Sequence, residues 1–514
     1  MEYWQTLVKT ALMGTHRQAP PPPKADPDNA LTTLLGQLDW SQPEKAVLAV
    51  AGAVALHQQV GQQPVKKTLP SVEPAPLEDL PVVGALTDRA LRIAMDEHPK
   101  VMPELLKLIA AVGQRVPDQW LPKLLNLGSK QAQLRPQIIA VIGHRGRWLA
   151  AQNPAWRYGI APTLADFLPD SPAFQTLWEQ GSRGQRVLFL QQWRDVDPSA
   201  AREALAAVWA AAQVKEREAL LEVLATHLSP ADEPFLEEAL GDRGQLVREL
   251  AVDLLVQLPE SGLSQRMAQR VQAFVQIQAQ GQTVQINVTL PETCEPAWQR
   301  DGINPKATKG QGKRAHWLLQ MVASTPLSVW AADPTAIAQA LAGHEWQGLL
   351  IKGWGLAAQQ QNDGDWAYAL IDQFGWQSFD EDLLTALLAL LSLEQREQLL
   401  EKHMPRNSTH EEPLAHWLHL VAQSSQGWSL NFSRLVFKQL INILRSNPKH
   451  SYPLLYPVRN IALTLHPALV PDVAEAIAQL SQTSVTMAWQ APLHEFLNRL
   501  NFRQEIHQAF QGCD

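Results

Sequence analysis

The sequence predicts a mostly α-helical protein, an α-solenoid of helical hairpins in two arrays with one β-hairpin near residues 272–290. Three observations support this fold class. Apolar residues recur with a 3.6-residue period through most of the chain. A short glycine-containing motif recurs at spacings typical of stacked helix pairs, and one segment alternates with period two. Of the 514 residues, 46% are hydrophobic and 18% are charged, so the chain can bury a large core.

Prolines and the change of periodicity divide the chain into four segments. Residues 20–23 are four consecutive prolines, and residues 64–81 contain five more. No helix is expected to cross either stretch, although one helix is predicted to open at Pro43. The predicted segments are N-terminal helices with proline-rich loops (1–83), a helical array (84–270), the β-hairpin with its connecting loop (271–312), and a second helical array (313–514).

The clearest helical hairpin starts at Ser229, a favourable N-cap followed by proline at the first helical position. Gly241 is expected to end this helix. A second helix is predicted to start at Asp242, with Gln245 as its capping-box partner. The buried stripe predicted for this second helix consists of Leu246, Val247, Leu250, Ala251, Leu254, Leu255 and Leu258.

An internal repeat points to stacked helix pairs. Residues 181–187 (GSRGQRV) recur as residues 241–247 (GDRGQLV), and residues 143–146 (GHRG) are a shorter echo. The spacings are 38 residues (143 to 181) and 60 residues (181 to 241). Self-similarity on this scale is typical of a solenoid, in which each repeat buries its apolar face against its neighbours.

One segment follows a strand pattern. Apolar residues alternate with polar ones from Val275 to Ala279 and again from Val284 to Val288, around a glycine turn. This pattern predicts a β-hairpin. Because an isolated hairpin is marginally stable in water, we expect it to pack on the helical body or on a partner.

Four stretches together resemble an uncharacterised bacterial family, a domain of unknown function with HEAT-like helical repeats. They are residues 143–150 with 153–156, residues 229–236, residues 248–259 and residues 298–303. The resemblance implies a HEAT-like solenoid in which Asp242 and Arg248 are structural residues that pair between neighbouring repeats. Members are often encoded beside a SWIM zinc-finger protein, a MoxR-type AAA ATPase and a von Willebrand factor A protein. The implied partners are therefore proteins, an AAA ATPase or a von Willebrand factor A protein among them.

Composition argues against several classes of protein. A net charge of −8 disfavours a general polyanion binder. Two cysteines, Cys294 and Cys513, are too few for a disulfide framework and fit a reducing compartment. The longest apolar run has 11 residues and the N-terminus lacks a signal-peptide pattern, so we expect a cytoplasmic protein.

No catalytic, cofactor-binding or metal-binding motif is predicted. The arrangement nearest to a metal site is His410 with His416 and His419, of which the last two lie three residues apart. Pro413 separates His410 from the helix that carries the other two, so a solvated helix start is the favoured interpretation.

Charge is distributed in blocks along the chain. Between Asp118 and Asp166 there is no acidic residue, whereas the six basic residues are Lys123, Lys130, Arg135, Arg145, Arg147 and Arg157. Residues 195–260 are strongly acidic. Either adjacent repeats neutralise each other, or the basic stretch binds an acidic partner surface.

The predicted partner-binding residues come from two observations. Arg145, Arg147 and Arg157, with Trp148 and Trp156 among them, are the candidate docking patch. Arg145, Arg183 and Arg243 each lie in a glycine-flanked turn near a predicted helix start, where they could line anion sites or pair with acids of the adjacent repeat.

The function predicted from these features is a non-enzymatic scaffold or adaptor that binds protein partners. The alternative is a HEAT-like nucleic-acid-binding protein or DNA glycosylase-type enzyme, with Trp148 and Trp156 holding an extruded base and Asp166 as the carboxylate. Nucleic-acid binding is the less favoured of the two.

Overall fold

A computed structural model describes residues 2–17, 22, 30–60, 73–160, 164–280, 283–307, 310, 312–405, 411–424, 427–446, 455–481 and 487–510. The chain divides into two compact units, Met1–Pro74 and Ala75–Asp514. The described residues are mostly helical, with one two-stranded antiparallel sheet. The mostly helical fold class with one β-hairpin is thus confirmed, and the finer division into four segments stays a prediction.

The described residues of the first unit form three helices. They are α1 (Glu2–Met13), α2 (Ala30–Gly36) and α3 (Pro43–Val60). Leu7, Leu35, Val50 and Val54 are buried and form its small core. Helix α3 opens at Pro43 as predicted. The proline run at residues 20–23, apart from Pro22, and residues 61–72 of the second proline-rich stretch lie outside the described residues.

The second unit contains the remaining helices and the sheet. Before the sheet lie α4 (Ala85–Asp96), α5 (Met102–Ala111), α6 (Leu121–Lys130), α7 (Arg135–Val141), α8 (Gly143–Gln152), α9 (Arg183–Val196), α10 (Pro198–Trp209), α11 (Val214–Glu222), α12 (Glu233–Ala239), α13 (Gln245–Val256) and α14 (Gly262–Gln272). After it lie α15 (Pro296–Arg300), α16 (Lys313–Ala323), α17 (Pro334–Leu341), α18 (Gln347–Gln361), α19 (Gly364–Phe374), α20 (Glu381–Leu390), α21 (Leu393–Lys402), α22 (Glu411–Ala422), α23 (Leu430–Ser446), α24 (Leu455–Ile461), α25 (Val470–Ser481) and α26 (Met487–Phe510).

Alternate helices of the second unit contact each other along most of its length. Helix α9 contacts α11, which contacts α13, and α14 contacts α16, which contacts α18. The same relation joins α17 to α19, α22 to α24 and α24 to α26. Such contacts arise when a helical hairpin stacks beside the next one, so that equivalent helices become neighbours.

The predicted β-hairpin is confirmed. Strands β1 (Val275–Gln280) and β2 (Thr283–Val288) pair antiparallel, with Val275 opposite Val288. Val275 and Ile286 are buried, and β2 contacts α17. The turn residues 281 and 282 lie outside the described residues. The hairpin therefore packs on the helical body, one of the two packing modes expected for it.

The hairpin at residues 229–258 confirms one predicted cap and corrects another. Ser229 forms a capping box with Asp232 and leads into α12. Helix α13, however, begins at Gln245 rather than at Asp242. The Asp242 carboxylate accepts a hydrogen bond from the backbone N–H of Gly244 at 2.7 Å, which stabilises a turn before the helix.

Leu246 is a second correction in the same helix. The helical period predicts that its side chain is buried, but it is 56% exposed. Val247, Ala251, Leu254 and Leu255 are buried as predicted. Position 246 corresponds to Arg186 in the other copy of the repeat, so the repeat itself marks this position as one that faces away from the core.

The C-terminal helix packs against the beginning of the second unit. Phe502 and Ile506 of α26 are buried in the core that the residues of α4 to α8 form. Arg503 donates hydrogen bonds of 2.6 and 2.9 Å to the Glu104 carboxylate of α5. Helices α5 and α26 are therefore joined by direct contacts between residues 399 positions apart.

Candidate functional site

Arg145 is paired within the chain. Its guanidinium forms an ion pair with Asp118, at the start of the turn that leads into α6. Asp118 also accepts a 2.7 Å hydrogen bond from Arg115, whose side chain is nearly buried. Of the two roles considered for Arg145, the geometry matches pairing with an acid of a neighbouring element.

The N-terminus of α8 is occupied by a carboxylate of the same chain. The backbone N–H groups of His144 and Arg145 each donate a 2.8 Å hydrogen bond to Glu78. A helix N-terminus attracts anions because its first N–H groups have no intrahelical partner. Glu78 satisfies these two groups, so no external anion is needed there.

The other residues of the predicted docking patch lie on α8 and on the 3₁₀ segment Pro154–Gly159 that follows it. Arg147 is exposed, whereas Trp148, Trp156 and Arg157 are half-buried. Both segments are helical. The indole N–H of Trp156 donates a 2.9 Å hydrogen bond to the side chain of Asn126 on α6.

A basic surface is formed where α6 meets this 3₁₀ segment. We define it as Lys123, Lys130, Arg135, Trp156 and Arg157. Lys123 and Lys130 are exposed and flank Asn126 on one face of α6, at spacings of three and four residues. Among the described residues, no carboxylate lies within ion-pair distance of any of its four cations. Lys123 and Lys130 were counted as charges in the sequence but were not among the predicted binding residues.

Tyr158 holds Arg135 at the edge of the basic surface. Its hydroxyl donates a 2.9 Å hydrogen bond to the Leu125 carbonyl, and its ring lies over Gly128, where a Cβ atom would collide with it. The Arg135 guanidinium lies 5.0 Å from the ring centre and donates to the Gly128 carbonyl. Burial raises the pKa of Tyr158 to about 12, against the opposing effect of Arg135, so the phenol remains protonated.

Arg183 and Arg243 lie far along the chain from this surface, near the starts of α9 and α13. Both are exposed, and among the described residues neither has a carboxylate at ion-pair distance. Within the described part of the chain, Arg183 and Arg243 therefore form no ion pair like the one between Arg145 and Asp118. The binding role of all seven predicted residues stays a prediction.

Of the two residues expected to pair between neighbouring repeats, Asp242 pairs with the preceding hairpin, whereas Arg248, among the described residues, does not pair outside its own repeat. Asp242 pairs with Arg217 of α11, at 2.8 Å, which joins two successive hairpins. Arg248 instead donates to the backbone carbonyl of Asp242 in its own repeat. Although burial alone would raise the pKa of Asp242, hydrogen bonds from Arg217 and Gly244 lower it, so the carboxylate stays ionised.

Similar pairs recur along the second unit and were missed in the sequence. Each joins one helix or turn to the next hairpin: Arg186–Glu216, Arg194–Asp232, Arg266–Asp301, Lys352–Asp380, Lys402–Asp372 and Arg434–Asp472. Arg194 and Asp232 are fully buried. Sequence spacing alone did not reveal these pairs, because the partners lie 28 to 38 residues apart.

The two described histidines of the candidate metal arrangement have different neighbours. His416 stacks on Trp376, with ring centres 4.7 Å apart, whereas His419 lies 2.9 Å from Glu381. His410 lies outside the described residues, as does Cys513. Among the described residues, no group of three or more histidine, cysteine or acidic side chains is arranged to hold a metal ion.

Comparison with known proteins identifies the family. The family model described as "Family of unknown function (DUF5691)" matches residues 6–510. The chain belongs to the DUF5691 family. No curated protein and no solved structure matches it. In the described part of this DUF5691 chain, none of the helices combines the length and the apolar character needed to cross a membrane.

Proposed function

We propose that this DUF5691 protein is a non-enzymatic helical-repeat scaffold that binds protein partners in a bacterial cytoplasmic assembly. The observation that carries the proposal is the contact between alternate helices along the second unit, reinforced by ion pairs between residues 25 to 38 positions apart. This pattern supports a HEAT-like solenoid, and solenoids bind partners through the extended surface of their stacked helices.

The nature of the partners follows from the family resemblance. Members of such families are often encoded beside a MoxR-type AAA ATPase and a von Willebrand factor A protein, and we propose one of these as the partner. The competing nucleic-acid enzyme requires Trp148, Trp156 and Asp166 to surround one base. Trp156 is bound to Asn126 of α6, whereas the Asp166 carbonyl accepts a hydrogen bond from Ser171, so these two residues are anchored to different segments.

Affinity purification of the full chain from its native host tests the proposal. We expect a protein partner to be recovered in stoichiometric amount at physiological salt, and its absence would contradict the scaffold function. Binding of duplex DNA is measured in parallel at about 50 mM salt, where electrostatic affinity for phosphates is greatest. Tight DNA binding without a protein partner would favour the competing function.

A further inference from the structure

We propose that the basic surface of α6 and the adjoining 3₁₀ segment binds an acidic segment of a protein partner. The inference rests on the proposed scaffold function, and it names the site and the chemistry of its occupant. It differs from the docking patch predicted from the sequence, because Lys123 and Lys130 replace Arg145 as the principal cations.

The first argument is the arrangement of the charges. Lys123 and Lys130 extend from the exposed face of α6 on either side of Asn126, and Asn126 accepts the hydrogen bond from Trp156. Arg157 follows Trp156 directly, and Ser129 donates a 2.7 Å hydrogen bond to the Ala155 carbonyl. These hydrogen bonds hold α6, with Lys123 and Lys130, beside the 3₁₀ segment that carries Arg157.

The second argument is that these charges are not neutralised within the described part of the chain. Asp118 is the nearest acidic residue before α6 in the sequence, and it pairs with Arg115 and Arg145. Asp88 accepts hydrogen bonds from Gln119 and from the Trp120 indole. The acidic groups beside the start of α6 therefore already accept hydrogen bonds or form ion pairs, whereas Lys123 and Lys130 are exposed.

The third argument concerns rigidity. Trp120 is buried, and the Lys123 ammonium lies 4.8 Å from its ring centre. Arg135 is held between the Tyr158 ring and the Gly128 carbonyl, as described above. Cations that are already positioned lose less side-chain entropy on binding than freely rotating ones, which favours association.

Charge complementarity identifies an acidic protein segment rather than a nucleic acid. Proteins that hold duplex DNA electrostatically make about 6–10 phosphate contacts along a continuous basic track. This surface has four cations and ends near Asp118 and Asp88, within a protein of net charge −8. Its extent suits a short run of glutamate or aspartate, and the half-buried Trp156 offers an apolar contact beside it.

A charge-reversal experiment tests this assignment. Binding of a fluorescein-labelled poly-glutamate peptide to the full chain is measured by anisotropy at about 50 mM and about 500 mM salt. We expect binding at low salt that weakens at high salt, and about tenfold weaker low-salt binding for the double variant Lys123→Glu with Lys130→Glu.

The matched control is Arg92→Glu with Lys107→Glu, which changes the net charge equally at exposed positions on α4 and α5. The control should bind the peptide like the natural chain. Equal loss in both double variants would show that only net charge matters and would overturn the assignment. A Lys123→Gln, Lys130→Gln variant guards against misfolding, since it removes the charges without introducing repulsion, and it should also bind more weakly.

Two further outcomes would overturn the assignment. One is failure of the peptide to bind the natural chain at low salt. The other is tighter binding of duplex DNA than of the peptide through the same lysines, which would assign the surface to nucleic acid. If a partner purified from the host binds the natural chain and the Lys123→Glu, Lys130→Glu variant equally, the surface is refuted while the scaffold function stands.

Discussion

Arg194 and Asp232 show how single residues hold neighbouring hairpins together. The Asp232 carboxylate accepts hydrogen bonds of 2.8 and 3.0 Å from Arg194, and both side chains are fully buried. Arg194 also donates to the carbonyls of Thr226 and His227. Burial alone would raise the pKa of Asp232, but hydrogen bonds from Arg194 and Arg202 outweigh it and lower the pKa.

Removing this carboxylate should be costly. Asp232→Ala leaves the Arg194 guanidinium buried without its counter-charge, and we expect a loss of about 3–5 kcal/mol in the free energy of unfolding. Urea denaturation followed by circular dichroism measures this loss. Glu238→Ala, at an exposed position of α12, the helix that directly follows Asp232, is the control and should change stability by less than about 0.5 kcal/mol. Equal effects of the two substitutions would contradict the structural role of the pair.

At the scale of elements, glycines at different positions of the recurring motif have different local structures. Gly143, the first residue of α8, has a φ of +61°, and a Cβ atom there would collide with the Glu78 carboxylate and lie 2.9 Å from Arg115 Cδ. Gly184 lies in the first turn of α9, and nothing lies within 4 Å of the position of its Cβ. Glycine therefore serves a turn with positive φ at the first position of one copy and an ordinary helix position at the fourth position of another.

Alanine substitutions should separate these two situations. Gly143→Ala is expected to destabilise the protein by about 1–3 kcal/mol, because the backbone conformation disfavours a side chain and the Glu78 cap is displaced. Gly184→Ala is expected to be neutral or to stabilise by up to about 1 kcal/mol, since alanine restricts the unfolded chain. Thermal unfolding of the two variants compares them. An unchanged thermal midpoint for Gly143→Ala would show that the hydrogen bonds from the start of α8 to Glu78 do not require glycine at this position.

At the scale of the second unit, the contact between α26 and α5 joins its two ends. Glu104 accepts hydrogen bonds from Arg503, and His507 lies 2.8 Å from the same carboxylate. Burial alone would raise the pKa of Glu104, but the hydrogen bonds from His507 and Arg503 lower it below its usual value of 4.5. Because the folded state holds this pKa down, the contact stabilises the protein above about pH 4.5, and this contribution is lost as the pH falls through the lower folded pKa.

The variant Glu104→Gln tests the contribution of this contact between α26 and α5. It should lower the free energy of unfolding by about 1–3 kcal/mol at neutral pH, because a charged hydrogen-bond partner is removed from Arg503. As the pH falls below about 4.5 the difference from the natural chain should shrink, since Glu104 becomes protonated first in the unfolded and then in the folded state. Thermal midpoints measured between pH 3 and pH 7 give the difference directly. If the difference in thermal midpoint does not depend on pH, the ionised Glu104 carboxylate does not stabilise the contact between α26 and α5.

The sequence by itself determined the features that depend on near neighbours. The helical period, the Ser229 cap, the helix opening at Pro43 and the β-hairpin follow from residues within a few positions of one another, where periodicity and capping act directly. The start of α13 was missed by three residues because Asp242 binds Arg217, a partner from another hairpin.

Only the tertiary structure decided which cations are available to a partner. The sequence showed six basic residues and no acid between Asp118 and Asp166, but not that Arg145 would pair with Asp118 or that Glu78 would occupy the start of α8. The ion pair of Glu104 with Arg503 joins residues 399 positions apart. Charge pairing and burial act through space, so residues distant in the chain determine whether a lysine or arginine stays exposed, and a pattern of local spacing contains no information about them.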